Sequence, residues 1–282
     1  MNGFLKLYWT LSSIKWNLYF LKKILCDSDF REKINRNKVL RNSRENKRCF
    51  IVGNGPSLKE MELEKLHDET VFTVNFLVRN KKLYELLNPS YHVFIDPYFT
   101  EIEDMELQRF LEAMENVNPS ITYITDIRVL KKLKSLGRGD KSYGVYMHDN
   151  WNRFGSKNID LSSNLFSSMN VVQTAIYTAI YMGFSEIYLI GCDMTVITEY
   201  LYMRANNTFN YIHAYDIKES EKEQYKKELS SGDNYSMLYE YMKVFEIFNH
   251  LFDYSVKHNI KIYNATKGGI LDMFPRVNLK DL

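Results

Sequence analysis

From Cys49 onward the chain alternates short β-branched or aromatic runs with helical stretches, and this alternation most narrows the folds open to it. Strands are expected at Cys49–Val52, Val71–Asn75, Tyr91–Ile95, Ile121–Thr125, Glu186–Ile190 and Lys261–Asn264. Helices are expected at Glu101–Asn116, Arg128–Leu136, Val171–Met182 and Met237–His258. The order predicts an α/β fold with a mainly parallel sheet, whose ligand cleft lies at the carboxyl ends of the strands. The 282 residues suit one large domain with an appendage, and 12 Gly and 5 Pro are too few for a collagen-like or low-complexity chain. Three scattered cysteines make no disulfide framework or zinc motif and suit a reducing compartment.

Function should then sit in the loops after strands. The first strand runs into Gly53-Asn54-Gly55-Pro56-Ser57-Leu58, a turn that offers backbone N–H groups and a hydroxyl to phosphate oxygens. No Lys-Ser/Thr follows and a third glycine is missing, so it is neither a Walker A loop nor a dinucleotide fingerprint. A bare GxG turn serves strand-to-helix geometry as readily as a ligand. The next strands end in Asn75 and in Asp96-Pro97, and another in Gly191-Cys192-Asp193. Each could be an N-cap or turn former, but four polar groups at equivalent strand ends favour one shared cleft. The polar stretch Thr195–Asp233 reads as a lid insertion, periodic only over Lys218–Leu229.

The first 48 residues differ in kind. They hold twelve Lys/Arg against Asp27, Asp29, Glu32 and Glu45, a net +8 that leaves −6 for the rest. Leu7, Leu11, Ile14, Leu18, Leu21 and Leu25 follow four- and three-residue steps, with Lys15 and Lys22 beside them and Trp9, Trp16 and Tyr19 as interfacial rings. This predicts a basic amphipathic arm over residues 1–48 lying on a membrane surface, or else packed on its own domain or another subunit. Lys6, Lys15, Lys22 and Lys23 interrupt any spanning segment, and no small-residue cleavage site marks a secretory signal.

The stretches Ile51–Glu60, Phe72–Asn75, Val93–Pro97, Gly183–Asp193 and Lys261–Asn264 resemble, in order and register, the motifs of bacterial sialyltransferases of glycosyltransferase family 42. They also resemble the related 6-hydroxymethylpterin diphosphokinase-like domains of surface-polysaccharide loci. The resemblance runs over about residues 49–276 and implies a Rossmann-like, modified GT-A fold that binds a CMP-activated acidic sugar with no metal or other cofactor. It implies nucleotide contacts from the Gly53–Ser57 loop and the second strand end, carried over to Asn54, Ser57 and Asn75; Gly53, Gly55, Gly191 and Asp193 join them as donor-site candidates from their places at the strand ends. Asp96 stands where the family has Asn, Asn170 and Val171 (with Gln173 nearby) where it has Thr/Ser, and Tyr200 and Tyr202 correspond to its lid tyrosines at another spacing.

A metal-independent displacement needs a base for the acceptor hydroxyl, and His213, within the lid, occupies the place of the family's base. The only DxD, Asp27-Ser28-Asp29, precedes the fold, so no catalytic metal is expected. The leading expectation is a transferase of a sialic acid or Kdo-type sugar to a surface-glycan or lipopolysaccharide acceptor, cytoplasmic and peripheral at the inner membrane face. No nucleic acid is expected as a partner, and self-association stays open. The alternatives are ATP-dependent pyrophosphoryl transfer and a non-catalytic glycan-assembly protein.

Overall fold

The computed structural model describes residues 3–148, 158–166, 168–206, 208, 213–217, 219, 222–223, 226–227 and 233–282. The strands are β1 (Arg48–Val52), β2 (Val71–Val74), β3 (Tyr91–Phe94), β4 (Thr122–Asp126), β5 (Ser142–Val145), β6 (Met147–His148), β7 (Leu165–Phe166), β8 (Glu186–Ile190) and β9 (Lys261–Asn264). Seven form one sheet in the order β5-β4-β3-β2-β1-β8-β9, every pair parallel, and β6 and β7 form a separate short pair. The helices are α1 (Gly3–Cys26), α2 (Ser28–Arg36), α3 (Lys81–Leu87), α4 (Tyr98–Glu101), α5 (Asp104–Glu115), α6 (Leu130–Ser135), α7 (Val171–Tyr181), α8 (Val196–Asn206) and α9 (Asn234–Lys257).

Parallel strands must be covered on both faces, which is why β2 and β3 are buried throughout and apolar or aromatic except at Thr73 and His92. On one face Ile51, Phe72, Ile187 and Leu189 pack with Ala175 and Ile176 of α7 and Phe248 and Leu251 of α9. On the other, Phe50, Val52, Tyr188 and Ile190 meet Leu58, Leu63 and Leu66. Strand order grows outward from β1 to β5 on one side, while β8 and β9 lie on the other. The reversal between β1 and β8 is the kind of switch point where open α/β sheets carry their ligands.

Three expectations change. Strand β5 was not foreseen, because Ser142-Tyr143-Gly144-Val145 has a glycine at its centre; a Cβ there would stand 2.5 Å from Leu130 Cδ1. The helix expected over Glu101–Asn116 is two, since Ile102 takes an extended ψ of 140° between them. The arm over residues 1–48 is not one unit: Phe30, Ile34 and Leu40 are core residues, and buried Asn37 donates to Gly144 O at 2.8 Å and Leu161 O at 2.7 Å. Its cations are spent on the body as well, Arg36 on Asp140, Arg41 on Asp160 and Arg48 on Glu69. Only α1 stands apart as an appendage. Among the described residues no helix is long and apolar enough to cross a membrane. Helix α8 opens the Thr195–Asp233 insertion, and much of Lys218–Leu229 lies outside the described residues.

Candidate functional site

A cleft of about 510 Å³ opens at the carboxyl ends of β1, β2, β3 and β8. Asn54, Gly55, Asn75, Asp96, Asn170, Gly191, Asp193 and His213 all line it, so the strand-end residues and the lid histidine converge on one cavity.

The wall from β1 and β8 is closed on itself. Because these strands are neighbours, their loops leave the sheet side by side: Gly53 N–H donates to Ile190 O and Gly55 N–H to Gly191 O, each at 2.8 Å. The Ser57 N–H and hydroxyl both donate to the Asp193 carboxylate, at 3.1 and 2.8 Å. The amide-and-hydroxyl cradle expected for phosphate is therefore consumed inside the protein, and Gly53 and Ser57 do not line the cleft. A Cβ on Gly55 would stand 1.6 Å from Asp193 Oδ2, and one on Gly191 (φ +63°) 2.6 Å from Leu58. These glycines thus permit loop-to-loop packing. Burial raises the Asp193 carboxyl above its usual range, against the opposing pull of the two Ser57 bonds.

The wall from β2 and β3 is open. Asn75 takes a left-handed φ of +41°, a conformation asparagine tolerates, and its carbonyl accepts from His92 Nε2–H at 2.8 Å. The other ring nitrogen of His92 then accepts, with Thr73 Oγ1 at 2.8 Å and Tyr84 OH at 3.1 Å. Burial holds the His92 pKa down to about 3 despite the bond to Asn75, so the ring is neutral. The carboxamide oxygens of Asn54 and Asn75 are buried and have no hydrogen-bond partner. Asp96 Oδ1 accepts from Tyr98 N–H at 2.9 Å.

His213 reaches this wall because its neighbour is fastened at both ends. Ala214 N–H donates to Asn54 O at 3.0 Å, and Asn80 Nδ2 donates to Ala214 O at 2.8 Å. The imidazole stacks on Tyr215 at 4.9 Å and 15°. The Arg79 guanidinium lies 4.1 Å from the Phe76 ring and 5.7 Å from that of Tyr215, bringing positive charge behind two lining residues.

Three expected contacts fall elsewhere. Gln173 is fully buried: its Oε1 accepts from Met169 and Asn170 N–H at 3.0 and 3.2 Å, and its Nε2 donates to Val244 O at 2.8 Å. It completes the capping box of α7 with Asn170, whose Oδ1 accepts from Val172 N–H at 2.8 Å, and cannot also read a donor. Tyr202 is exposed and off the cleft, and Tyr200 does not line it either, meeting the lining Tyr241 edge-on at 6.4 Å between ring centres. Sequence reasoning missed Phe76, Arg79, Tyr215, Glu240 and Tyr241. The first three lay one to four residues from recognised positions; Glu240 and Tyr241 gave no signal beyond helix periodicity.

Asp96, Asp193 and Glu240 line the cleft, and no Lys or Arg does among the described residues. Both Asp193 oxygens accept from Ser57, one Asp96 oxygen accepts from Tyr98 N–H, and among the described residues there is no group of three His, Cys, Asp or Glu that could hold a metal ion. Asp27 of the DxD instead caps α2, accepting from Phe30 N–H at 2.9 Å.

A parallel sheet with a cleft at its switch point defines the class: an α/β protein whose cavity opens across the strand ends. The family described as 6-hydroxymethylpterin diphosphokinase MptE-like matches residues 28–199, and the chain belongs to it. No curated protein matches the sequence. Among solved structures, the sialyltransferase CstII from Campylobacter jejuni in complex with cytidine-5'-monophosphate is similar, at 17% identity, TM-score 0.45, over 83% of this chain and 85% of that one. The α-2,3-sialyltransferase Cst-I from Campylobacter jejuni is similar at 17% identity, TM-score 0.39, over 82% and 80%.

Proposed function

We propose that this protein is a glycosyltransferase that moves a CMP-activated acidic sugar onto a glycan acceptor in this cleft without a resident metal. The observation that carries the reading is the pair of unpartnered carboxamide oxygens, Asn54 Oδ1 and Asn75 Oδ1, buried on a cleft that His213 also lines. With Asp96, Asp193 and Glu240 they make a lining rich in acceptors, and acceptors suit a ligand rich in hydroxyl and amino donors, as a nucleoside and a sugar are. His213 takes the proton of the attacking acceptor hydroxyl, the new bond forms at the anomeric carbon, and CMP leaves with the bonding electrons. Arg79, behind Phe76 and Tyr215, lowers the cost of the charge on the departing phosphate.

The second reading is pyrophosphoryl transfer from ATP, favoured by the description of the family. A thermal-shift series with CMP, CDP, UDP and ATP, each in magnesium and in EDTA, separates the two. Stabilisation by CMP or CDP in EDTA supports glycosyl transfer. Stabilisation by ATP only with magnesium supports the second reading, and no response to any nucleotide overturns both.

A further inference from the structure

The fully buried side chain of His92 stands out in β3, whose other residues, Tyr91, Val93 and Phe94, are apolar or aromatic. Parallel register sets it beside Thr73 of β2, and α3 brings Tyr84 to the same point. Thr73 Oγ1 at 2.8 Å and Tyr84 OH at 3.1 Å offer hydroxyl donors to its Nδ1. Phe94 at 6.0 Å and Phe110 of α5 at 5.7 Å between ring centres enclose the ring. With Nδ1 an acceptor, the single hydrogen of the neutral imidazole sits on Nε2, which donates to Asn75 O at 2.8 Å. The direction of the ring and its tautomer are thus set by residues of β2, α3 and α5, and none of these, nor His92 itself, lines the cleft.

Asn75, which receives this bond, does line the cleft. It follows the end of β2 with a left-handed φ of +41°, a conformation uncommon outside glycine. Its carboxamide oxygen is buried and has no partner. The need to give one carbonyl a donor would account for the His92 bond alone. It does not account for an uncommon backbone conformation and an unmet acceptor in the same residue, each of which costs stability in the folded chain. Both costs are offset when a ligand brings the donor that Oδ1 lacks.

We propose that His92 is a positioning residue, a role that rests on the glycosyl-transfer reading of the cleft. It fixes the Asn75 backbone from behind, so that the Asn75 carboxamide oxygen meets an amino or hydroxyl donor of the bound cytidine nucleotide. His92 touches neither nucleotide nor sugar.

The test is a cycle of full-length variants titrated with CMP by calorimetry, each well below its unfolding midpoint. His92→Leu should bind CMP about ten-fold or more weakly than the parent. His92→Gln should recover most of that loss, because its amide restores a donor at the place of Nε2. In an Asn75→Gly background, which keeps the left-handed turn but has no carboxamide to position, His92→Leu should change the affinity by less than about two-fold. A merely structural role would instead give the same fold-loss in both backgrounds. Should His92→Leu not fold, Thr73→Val/Tyr84→Phe, which strips both hydroxyls from Nδ1 and keeps the ring, takes its place in the cycle and is read in the same way. Equal CMP affinity in the parent and His92→Leu overturns the proposal. So does a loss that His92→Gln shares in full, or one that is the same with and without the Asn75 side chain. A parent that binds neither CMP nor CDP overturns the glycosyl-transfer reading itself, and the positioning role with it.

Discussion

The two walls of the cleft use similar residues for opposite ends. Along β1 and β8 the glycines, Ser57 and Asp193 satisfy one another, and the buried Asn54 carboxamide oxygen is left without a partner. Along β2 and β3 the backbone is fixed from behind, by His92 under Asn75 and by the Asn54 and Asn80 bonds to Ala214, and the Asn75 carboxamide oxygen is left without a partner. A glycine-rich loop at a strand end is thus no guarantee of a phosphate site. The loop's amides must be free, and here the neighbouring loop takes them.

If the open wall carries the chemistry, the largest effect should come from His213→Ala, with turnover falling about 10²–10⁴-fold while donor affinity holds. Turnover within a few-fold of the parent at saturating acceptor would remove His213 from the reaction. The closed wall should answer in stability. Gly55→Ala forces a methyl onto the Asp193 carboxylate and should cost about 3 kcal/mol in urea unfolding.

A matched pair sharpens the contrast. Asn75→Gly keeps the left-handed backbone and should weaken CMP binding by about 1.5–3 kcal/mol, read by calorimetry, with the unfolding midpoint nearly unmoved. Ser57→Ala should do the reverse, costing roughly 1–3 kcal/mol of stability because Asp193 loses a buried donor, at unchanged CMP affinity. Equal losses of affinity in the two variants would erase the distinction between the walls.

The smallest effect concerns pH. The unfolded chain protonates His92 below about 6.5, while the folded chain does not until about 3, so the unfolded state binds the extra proton in that window. Stability present above pH 6.5 is lost as pH falls towards 3, by about 1.4 kcal/mol at pH 5.5. His92→Gln should flatten that slope relative to the parent in chemical unfolding followed between pH 7 and 5; an unchanged slope would mean that the ring is not held neutral.

The alternation from Cys49 onward was enough to read six of the seven strands of the main sheet, because parallel strands buried on both faces leave short runs rich in apolar, β-branched and aromatic residues. β5 escaped because it is short and centred on Gly144, and only the packing of Leu130 explains that glycine. The convergence of Asn54, Asn75, Asp96 and Asp193 was legible, since strand ends in a parallel sheet share one side. What each polar group does was not. Ser57 meets Asp193 across 136 residues of sequence, and the cap formed by Gln173 competes with its use as a ligand contact. Nor did the charge of residues 1–48 reveal its partners, because Asp140, Asp160 and Glu69 come near only when the chain folds.

The pairing of β1 with β8 also sets a timetable. Strands β1 to β5 pair with sequence neighbours and can form as the chain emerges, whereas Cys49 must wait for Ile187. Loop closure over this longer span costs only roughly 2 kcal/mol more than over a neighbouring pair, so the delay lies in synthesis and search more than in equilibrium. Until β8 arrives, β1 is a bare hydrophobic edge, the part of a half-made chain most exposed to wrong pairing. Its arrival covers that edge and joins the Gly53 and Gly191 loops in the same event, so the nascent chain becomes safe from aggregation and acquires its cleft together.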